Sequence, residues 1–394
     1  MPSPSRPHDL VLFGATGFTG GLTADYLAAH VPAATPWAIA GRNRAKLEAI
    51  RDRLAALPGT TEIPALLVAD VTDPDSMRAV AESAHVVATT VGPYIHLGEP
   101  LVAACAAAGT DYLDLTGEPE FVDLMWVRHH ATARASGARL VHCCGFDSIP
   151  HDLGAQFTVE QLPPDGPIAL RGIVQADARF SGGTLHSAVT AFGRARQYAK
   201  VAAQRSRLEV LPTGRRARAV TGRPYREAAV DRWAIPFPTI DPAVVVRSAR
   251  ALPEYGPDFT YGHHVAVKHL AVAAGGVAGV AGLFAAAQLP PARRLLLGRM
   301  ASGDGPSAQR RSQSWFTVTF VGEGGGRRVV TTVRGGDPGY TETAKMLAEA
   351  ALCLAYDALP DTAGQVTPAV AMGVALRTRL VANGIAFTVT ETSP

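Results

Sequence analysis

Two short stretches of the chain combine residue types and spacings that could do chemistry. The first is Gly14-Ala15-Thr16-Gly17-Phe18-Thr19-Gly20, with glycines at every third position between an apolar run and an apolar helical pattern. Free N–H groups at a strand–helix corner, backed by the positive end of the helix, suit a pyrophosphate. Gly14 permits the tight turn, Gly17 lets a phosphate approach the backbone, and Gly20 lets the helix pack on the strand. The spacing is G-x-x-G-x-x-G rather than G-x-G-x-x-G, so its position at the first strand–helix junction carries the reading. The second stretch is Cys144-Gly145-Phe146-Asp147-Ser148-Ile149-Pro150-His151-Asp152. His151 could deliver a proton near neutral pH. Asp147 suits proton transfer, or equally the capping of the helix that follows.

The end of the next strand selects the cofactor. An NAD site places an acid there to hold the ribose 2′-hydroxyl. This chain has Gly41-Arg42-Asn43 and no acid. A guanidinium can grip a 2′-phosphate with paired donors. NADP(H) is therefore expected, with Arg42 the main contact, Asn43 beside it, and Thr16, Phe18 and Thr19 along the phosphates. Asp70 and Val71 fall where adenine contacts lie. Val91, Gly92 and Pro93 form the turn that the nicotinamide end would pass. Tyr94, expected to project at the cleft mouth with His96, is a reasonable hydrogen-bond donor or acid. Glu118 lies on the same edge.

The elements that position these residues alternate. Apolar strands at 10–13, 37–40, 65–69, 86–91, 112–115 and 139–143 are separated by helical patterns, one of them capped by Asp73 ahead of Pro74. Such alternation makes an α/β, doubly wound parallel sheet of Rossmann type, expected over residues 1–150. Beyond it the rhythm changes. Strands at 168–176 and 315–320, the latter paired with 330–335 across a glycine-rich turn, imply a second α+β domain over 151–394.

Bulk properties narrow the class. The chain has 394 residues, 47% of them hydrophobic and 18% charged, with a formal charge of +3. That charge is too small to argue for nucleic acid. Cys105, Cys143, Cys144 and Cys353 form no C-x-x-C, which suits reduced thiols in a cytoplasmic protein. The first residues read as a short disordered lead without an export signal. No metal is expected, because His263, His264 and His269 have no carboxylate or thiol at ligand spacing. Residues 194–223 hold nine basic side chains against Glu209 alone; this is a solvated face or a docking surface for an acidic partner. Residues 270–289 carry no charge but are mostly Ala and Gly. They suit a buried or homodimer-interface helix first, and peripheral membrane or lipid contact second.

With these pieces in view, the chain resembles the saccharopine dehydrogenase-like oxidoreductases, in particular the branch with bacterial trans-acting enoyl reductases. The motifs are "GATGFTG" (14–20), "AGRN" (40–43), "VGPYIHLGEPLVAACAAAGTDYLDLTGE" (91–118), "CGFDSIPHDLG" (144–154), "GDGPS" (303–307), "SWF" (314–316) and "DPGYTETAKM" (337–346). The resemblance implies a Rossmann domain, a second domain over the nicotinamide end, and a last segment, about 367–389, that returns to the first domain. It also implies NADPH-dependent reduction of a carbon–carbon double bond in a lipid or polyketide intermediate, brought by a carrier protein or synthase. The residues alone leave three other readings open. These are a saccharopine-type dehydrogenase acting on an amino acid and a keto acid, a non-catalytic NADP-binding protein of lipid surfaces, and a structural partner of a synthase.

Overall fold

Leu10, Val11, Leu12 and Phe13 are all buried, as a central parallel strand covered on both faces requires. In the computed structural model, which describes residues 6–177, 190, 193–289, 291–292 and 305–393, they belong to β1 (His8–Phe13). Then follow α1 (Phe18–His30), β2 (Trp37–Gly41), α2 (Arg44–Ala55), β3 (Ala65–Val68), α3 (Pro74–Ser83), β4 (Ala84–Thr89), α4 (Tyr94–Leu97) and α5 (Glu99–Ala108). β5 (Asp111–Asp114), α6 (Pro119–Ser136), β6 (Arg139–Val141) and α7 (Ile149–Val159) complete the first run. Asp73 caps α3 as expected, accepting from the Asp75 N–H at 3.0 Å.

The second run comprises β7 (Ile168–Asp177), α8 (Ala195–Leu208), β8 (Arg216–Ala219), β9 (Tyr225–Glu227), β10 (Arg232–Pro236), α9 (Asp241–Ala251), β11 (Asp258–Val267) and α10 (Leu270–Gln288). After it come α11 (Ala308–Gln313), β12 (Trp315–Gly324), β13 (Arg327–Gly335), α12 (Thr341–Tyr356), β14 (Gly364–Val366), α13 (Pro368–Ala371), α14 (Gly373–Ala382) and β15 (Ala386–Ser393).

The first sheet is parallel and runs β3-β2-β1-β4-β5-β6-β14. Its first six positions follow the Rossmann order, with the switch point between β1 and β4. The second sheet runs β15-β13-β12-β7-β11-β10-β9, with β8 also paired to β11. The β12–β13 hairpin turns through Gly325 and Gly326, at φ 58° and 75°. Two left-handed residues in succession are what a two-residue hairpin loop of matching twist needs.

Several boundaries differ from the sequence reading for identifiable reasons. β4 stops at Thr89 because the Val91 N–H leaves the ladder for the Thr89 hydroxyl, at 3.2 Å. β6 stops at Val141 because Cys143 turns to φ 65°. The return of the chain to the first sheet begins before 367–389 and includes the start of that range, where α13 packs on β6. α12 packs on α1, β4 and β5, and β14 pairs with β6, whereas β15 joins β13 of the second sheet.

The apolar segment at 270–289, expected as a buried or homodimer-interface helix, forms α10 and is exposed at several of its described positions. Leu270 and Phe284 are 46% and 42% exposed, and a β-carbon placed on Gly275, Gly279 or Gly282 would meet nothing within 4 Å. No helix among the described residues is long and apolar enough to cross a membrane. The expected N-terminal lead has its first five residues outside the described ones, as do Gly303 and Asp304 of the "GDGPS" motif.

α7 joins the two sheets. Its Gly154 faces the second sheet so closely that a β-carbon would lie 2.3 Å from a Phe320 ring carbon and 2.8 Å from a Val333 methyl. Gly154→Val should therefore cost about 1–3 kcal/mol through overpacking, read as a lowered Tm; an unchanged Tm would contradict this packing.

Candidate functional site

The carboxyl ends of the first sheet's strands carry the candidate site. Gly14 turns the chain out of β1 at φ 97°, where a β-carbon would strike Val91 and Thr90. Its N–H donates to Ala40 O at 2.9 Å, and its own carbonyl accepts from Gly17 at 3.0 Å. Gly20 then passes so near this carbonyl that a β-carbon would lie 2.1 Å from the oxygen. Gly17 is the N-cap of α1, has no side chain to bond the free amides, and is exposed with Thr16. The first-turn N–H groups of Phe18, Thr19 and Gly20 thus lack intrahelical partners. An anion seated there would satisfy them. The Phe18 ring packs edge-on against Tyr340 at 4.9 Å and lies beneath the Arg311 guanidinium, so it faces the second part of the chain.

Gly41 ends β2, and Arg42 follows it, exposed and with no hydrogen bond or ion pair to the described residues. Asn43 acts locally, as the cap of α2, and accepts from the Lys46 N–H at 3.0 Å. Its amide nitrogen has no such bond and stays available to a ligand. Asp70 follows β3 with Val71 beside it. One Asp70 oxygen accepts from the Thr72 N–H and hydroxyl, both at 2.9 Å. These bonds hold its carboxyl below the ordinary value, and Arg42 adds a smaller pull in the same direction.

The turn after β4 is built differently from expectation. The Gly92–Pro93 peptide is cis, Gly92 is exposed, and Val91 and Pro93 are half-buried at the crevice. Tyr94, however, points inward and is only 7% exposed. Its hydroxyl donates to Thr89 O at 3.1 Å and accepts from the Leu115 N–H at 3.2 Å. Burial raises the phenol well above its ordinary value, and Asp114 adds to this. Tyr94 braces the ends of β4 and β5 and is not placed to protonate a ligand. His96 is exposed. Glu118 is also a brace, accepting from the N–H groups of Tyr94 and Ile95 at 3.1 and 2.9 Å.

The sequence reading passed over Asp114, the residue that organises this edge. One carboxylate oxygen accepts from the N–H groups of Thr116 and Cys143 at 3.0 and 3.1 Å. The other takes the Tyr112 hydroxyl at 3.1 Å and His142 Nδ1 at 2.6 Å. An acid inside an otherwise apolar strand, "YLDL", was the available signal, since such a group must be hydrogen-bonded to be buried.

The motif after β6 splits in three. Asp147 is half-buried and has no hydrogen bond to the described residues; a β-carbon on Gly117 would lie 3.1 Å from its Oδ2. Burial, reinforced by Asp241, pushes its carboxyl up to about 7. It does not cap α7, whose N-cap is Ser148. Asp152 is fully buried and accepts from Ser248 Oγ at 2.5 Å and the Ala369 N–H at 2.8 Å, tying α7 to α9 and α13. His151 is 1% exposed, with Nδ1 3.2 Å from Asp241 Oδ1. Burial lowers its pKa despite the carboxylate, so it is neutral at pH 7 and shut away from the crevice. The expected proton delivery by His151 does not fit that position. Asp241 also approaches His263 Nε2 at 3.6 Å, supplying the carboxylate that local spacing around His263 did not show.

The basic stretch is only partly a free surface. Arg194 holds Glu120 in two hydrogen bonds of 2.8 and 2.6 Å. Arg205 is buried against Asp123 and under the Trp126 ring. Arg215 donates to the carbonyls of Ala249, Arg250 and Leu252, and Arg218 pairs with Asp258. Arg196, Lys200, Arg207, Arg216 and Arg223 are exposed.

Comparisons with known proteins agree with this geometry. The model of the saccharopine dehydrogenase NADP binding domain matches residues 10–141. The chain is 36% identical to the trans-acting enoyl reductase of Mycobacterium tuberculosis and 32% identical to the saccharopine dehydrogenase-like oxidoreductase of Rattus norvegicus, each alignment covering 100% of both chains. Among solved structures, apo saccharopine dehydrogenase (L-Glu forming) from Saccharomyces cerevisiae superposes with a TM-score of 0.54 at 12% identity, covering 98% of this chain and 100% of that one. That likeness speaks for the fold. The uncapped amides of α1, the bare backbone at Gly17 and the unpartnered Arg42 fit NADP(H). Arg42→Ala should weaken NADPH binding about 10- to 100-fold, as loss of a charge-assisted pair implies, and leave NADH nearly unchanged. Calorimetry with both coenzymes checks this, and equal losses for the two would refute the assignment of Arg42 to the 2′-phosphate.

Proposed function

The chain belongs to the saccharopine dehydrogenase-like family of NADP(H)-dependent oxidoreductases, and from that premise we propose that it is a trans-acting enoyl reductase acting on a lipid or polyketide-derived intermediate. The observation that carries the reading is the full-length similarity to the mycobacterial enoyl reductase. The charge distribution supports it. A saccharopine-type substrate carries several carboxylates and needs free cations. At this end of the crevice Arg194 is already paired with Glu120. Phe146, half-buried and edge-on to the buried Phe316 at 5.0 Å, adds apolar surface on the second domain's side.

NADP(H), when bound, supplies the hydride. The residues of this chain hold and aim what receives it. The amides at 18–20 and Arg42 anchor the phosphates, while Tyr94, Glu118 and Asp114 keep the ends of β4 and β5 at fixed spacing. An enoyl thioester that accepts hydride at its β-carbon becomes an enolate and needs a proton at the α-carbon. Asp147 is the proton donor in this reading, because it is half-buried, unbonded and protonated for much of the population at neutral pH. Delivery by a carrier protein or synthase would use the exposed cations of α8 and the strand after it, Arg196, Lys200, Arg207 and Arg216. The exposed apolar residues of α10 suit a second copy of the chain or peripheral lipid contact. A cytoplasmic site of action fits four buried, unpaired cysteines.

NADPH oxidation with a long-chain 2-enoyl thioester tests the reading, with lysine plus a 2-keto acid as the rival substrate pair. Turnover with the rival pair and none with the thioester would overturn it. The proton donor predicts the pH profile. An acid that must be protonated, titrating near 7, makes kcat/KM level in the acid range and falling about tenfold per pH unit above it. Asp147→Asn should lower kcat by roughly 10²- to 10⁴-fold and abolish that falling limb; a variant that keeps the limb would exclude Asp147.

A further inference from the structure

His151, Asp241 and His263 form a second cluster beside Asp147, and none of the three transfers a proton in the proposed reduction. His151 lies in the first turn of α7, Asp241 opens α9 and His263 lies on β11. Their relative exposures are 1%, 2% and 5%. One ligand atom from each falls within 4.8 Å of the other two.

The internal distances suit a shared ion better than hydrogen bonds. His151 Nδ1 is 3.2 Å from Asp241 Oδ1, and His263 Nε2 is 3.6 Å from Asp241 Oδ2. The second is too long for a hydrogen bond. The first lacks hydrogen-bond geometry, since His151 Nδ1 and Asp241 Oδ1 both have no partner. Each distance lies in the range of separations between donor atoms that share one ion through bonds of about 2.0–2.1 Å, the two imidazoles approaching different oxygens of the same carboxylate.

The surrounding atoms are arranged in the same sense. His263 Nε2 is also buried without a hydrogen bond, and such an atom is costly unless something satisfies it. The Ser148 hydroxyl lies next to Asp241. Outer groups fix the ligands: Thr239 Oγ1 donates to Asp241 Oδ2, and Tyr261 Oη lies 3.1 Å from His263 Nδ1. Tyr261 Oη pairs with Nδ1 in either tautomer of His263, so Nε2 is the nitrogen left facing Asp241, where a metal ion can take the place of a proton. Metal-bound imidazoles are commonly held through their second nitrogen in this way.

We propose that His151, Asp241 and His263 bind one divalent transition-metal ion of the zinc class in a two-histidine, one-carboxylate site that clamps α7 to α9 and β11. The donor set is that of Zn²⁺ or a neighbouring first-row ion rather than Mg²⁺ or Ca²⁺. The site lies at the joint between the sheets, and its existence does not depend on which substrate the crevice takes.

The test uses the full-length chain without an affinity tag. Metal content is measured after purification without chelator, and the chelator-treated protein is titrated with Zn²⁺ by calorimetry and with Co²⁺ by visible absorption. One zinc per chain, and a cobalt spectrum of tetrahedral type without sulfur ligation, are expected. His263→Gln and Asp241→Asn should each weaken Zn²⁺ binding at least 100-fold, with NADPH binding retained as the sign of a folded chain. Absence of both zinc and a cobalt spectrum from the wild-type protein would overturn the site. So would undiminished Zn²⁺ binding in either variant, or sulfur ligation from Cys143 or Cys144. Should a variant fail to fold, the wild-type stoichiometry and cobalt spectrum decide alone.

Discussion

The contact on which the site depends is the passage of Gly20 over the Gly14 carbonyl, where a β-carbon would sit 2.1 Å from the oxygen. Only bare backbone allows α1 to lie that close to the end of β1. The closeness aims the first-turn amides of α1 into the crevice beside β4, and Gly17 leaves them uncapped. A larger residue at either glycine would tilt the helix and move its amides out of line with the end of β2, where Arg42 waits. The phosphate cradle and the coenzyme preference therefore share one steric origin.

The rest of the crevice is held by buried acids that act as braces. Asp114 collects two backbone amides, a phenol and an imidazole; Glu118 collects the two amides that open α4; Asp152 joins α7 to α9 and α13. Each is inaccessible to water and bonded on both oxygens, which is the condition for burying a carboxylate at tolerable cost. Asp147 breaks that pattern. It sits on the same edge, half-buried and unbonded; burial lifts its carboxyl as it lifts that of the bonded Asp152, so its exposure and its free oxygens are what set it apart. The contrast between bonded and unbonded acids separates the scaffold of this site from the group free to exchange a proton.

Much of the fold was legible because it is written in short periods. The alternation of apolar strands with helices, the glycines at 14, 17 and 20, and the Asp73 cap each involve residues a few positions apart, and local sterics decide them. The errors came where one side chain answers to a distant one. Tyr94 read as a cleft residue because its turn reaches the crevice, yet its hydroxyl is spent on Thr89 and Leu115. His151 read as exposed chemistry because it follows a strand end, yet α9 and β11 close over it. Asn43 has a second task that local spacing does not announce, since its side-chain carbonyl caps α2. Part of the basic stretch is engaged within the chain, since Glu120, Asp123 and Asp258 are invisible as partners until the chain folds.

By itself the sequence determined the Rossmann layer, the phosphate-binding corner and the absence of an acid after β2, because each follows from neighbouring residues and backbone geometry. Tertiary structure alone decided which acids are bonded and which is free, where the chain returns to the first sheet, and that His151, Asp241 and His263 meet. Those outcomes depend on contacts between residues tens to hundreds of positions apart, and on the desolvation that such contacts impose; no local spacing encodes either.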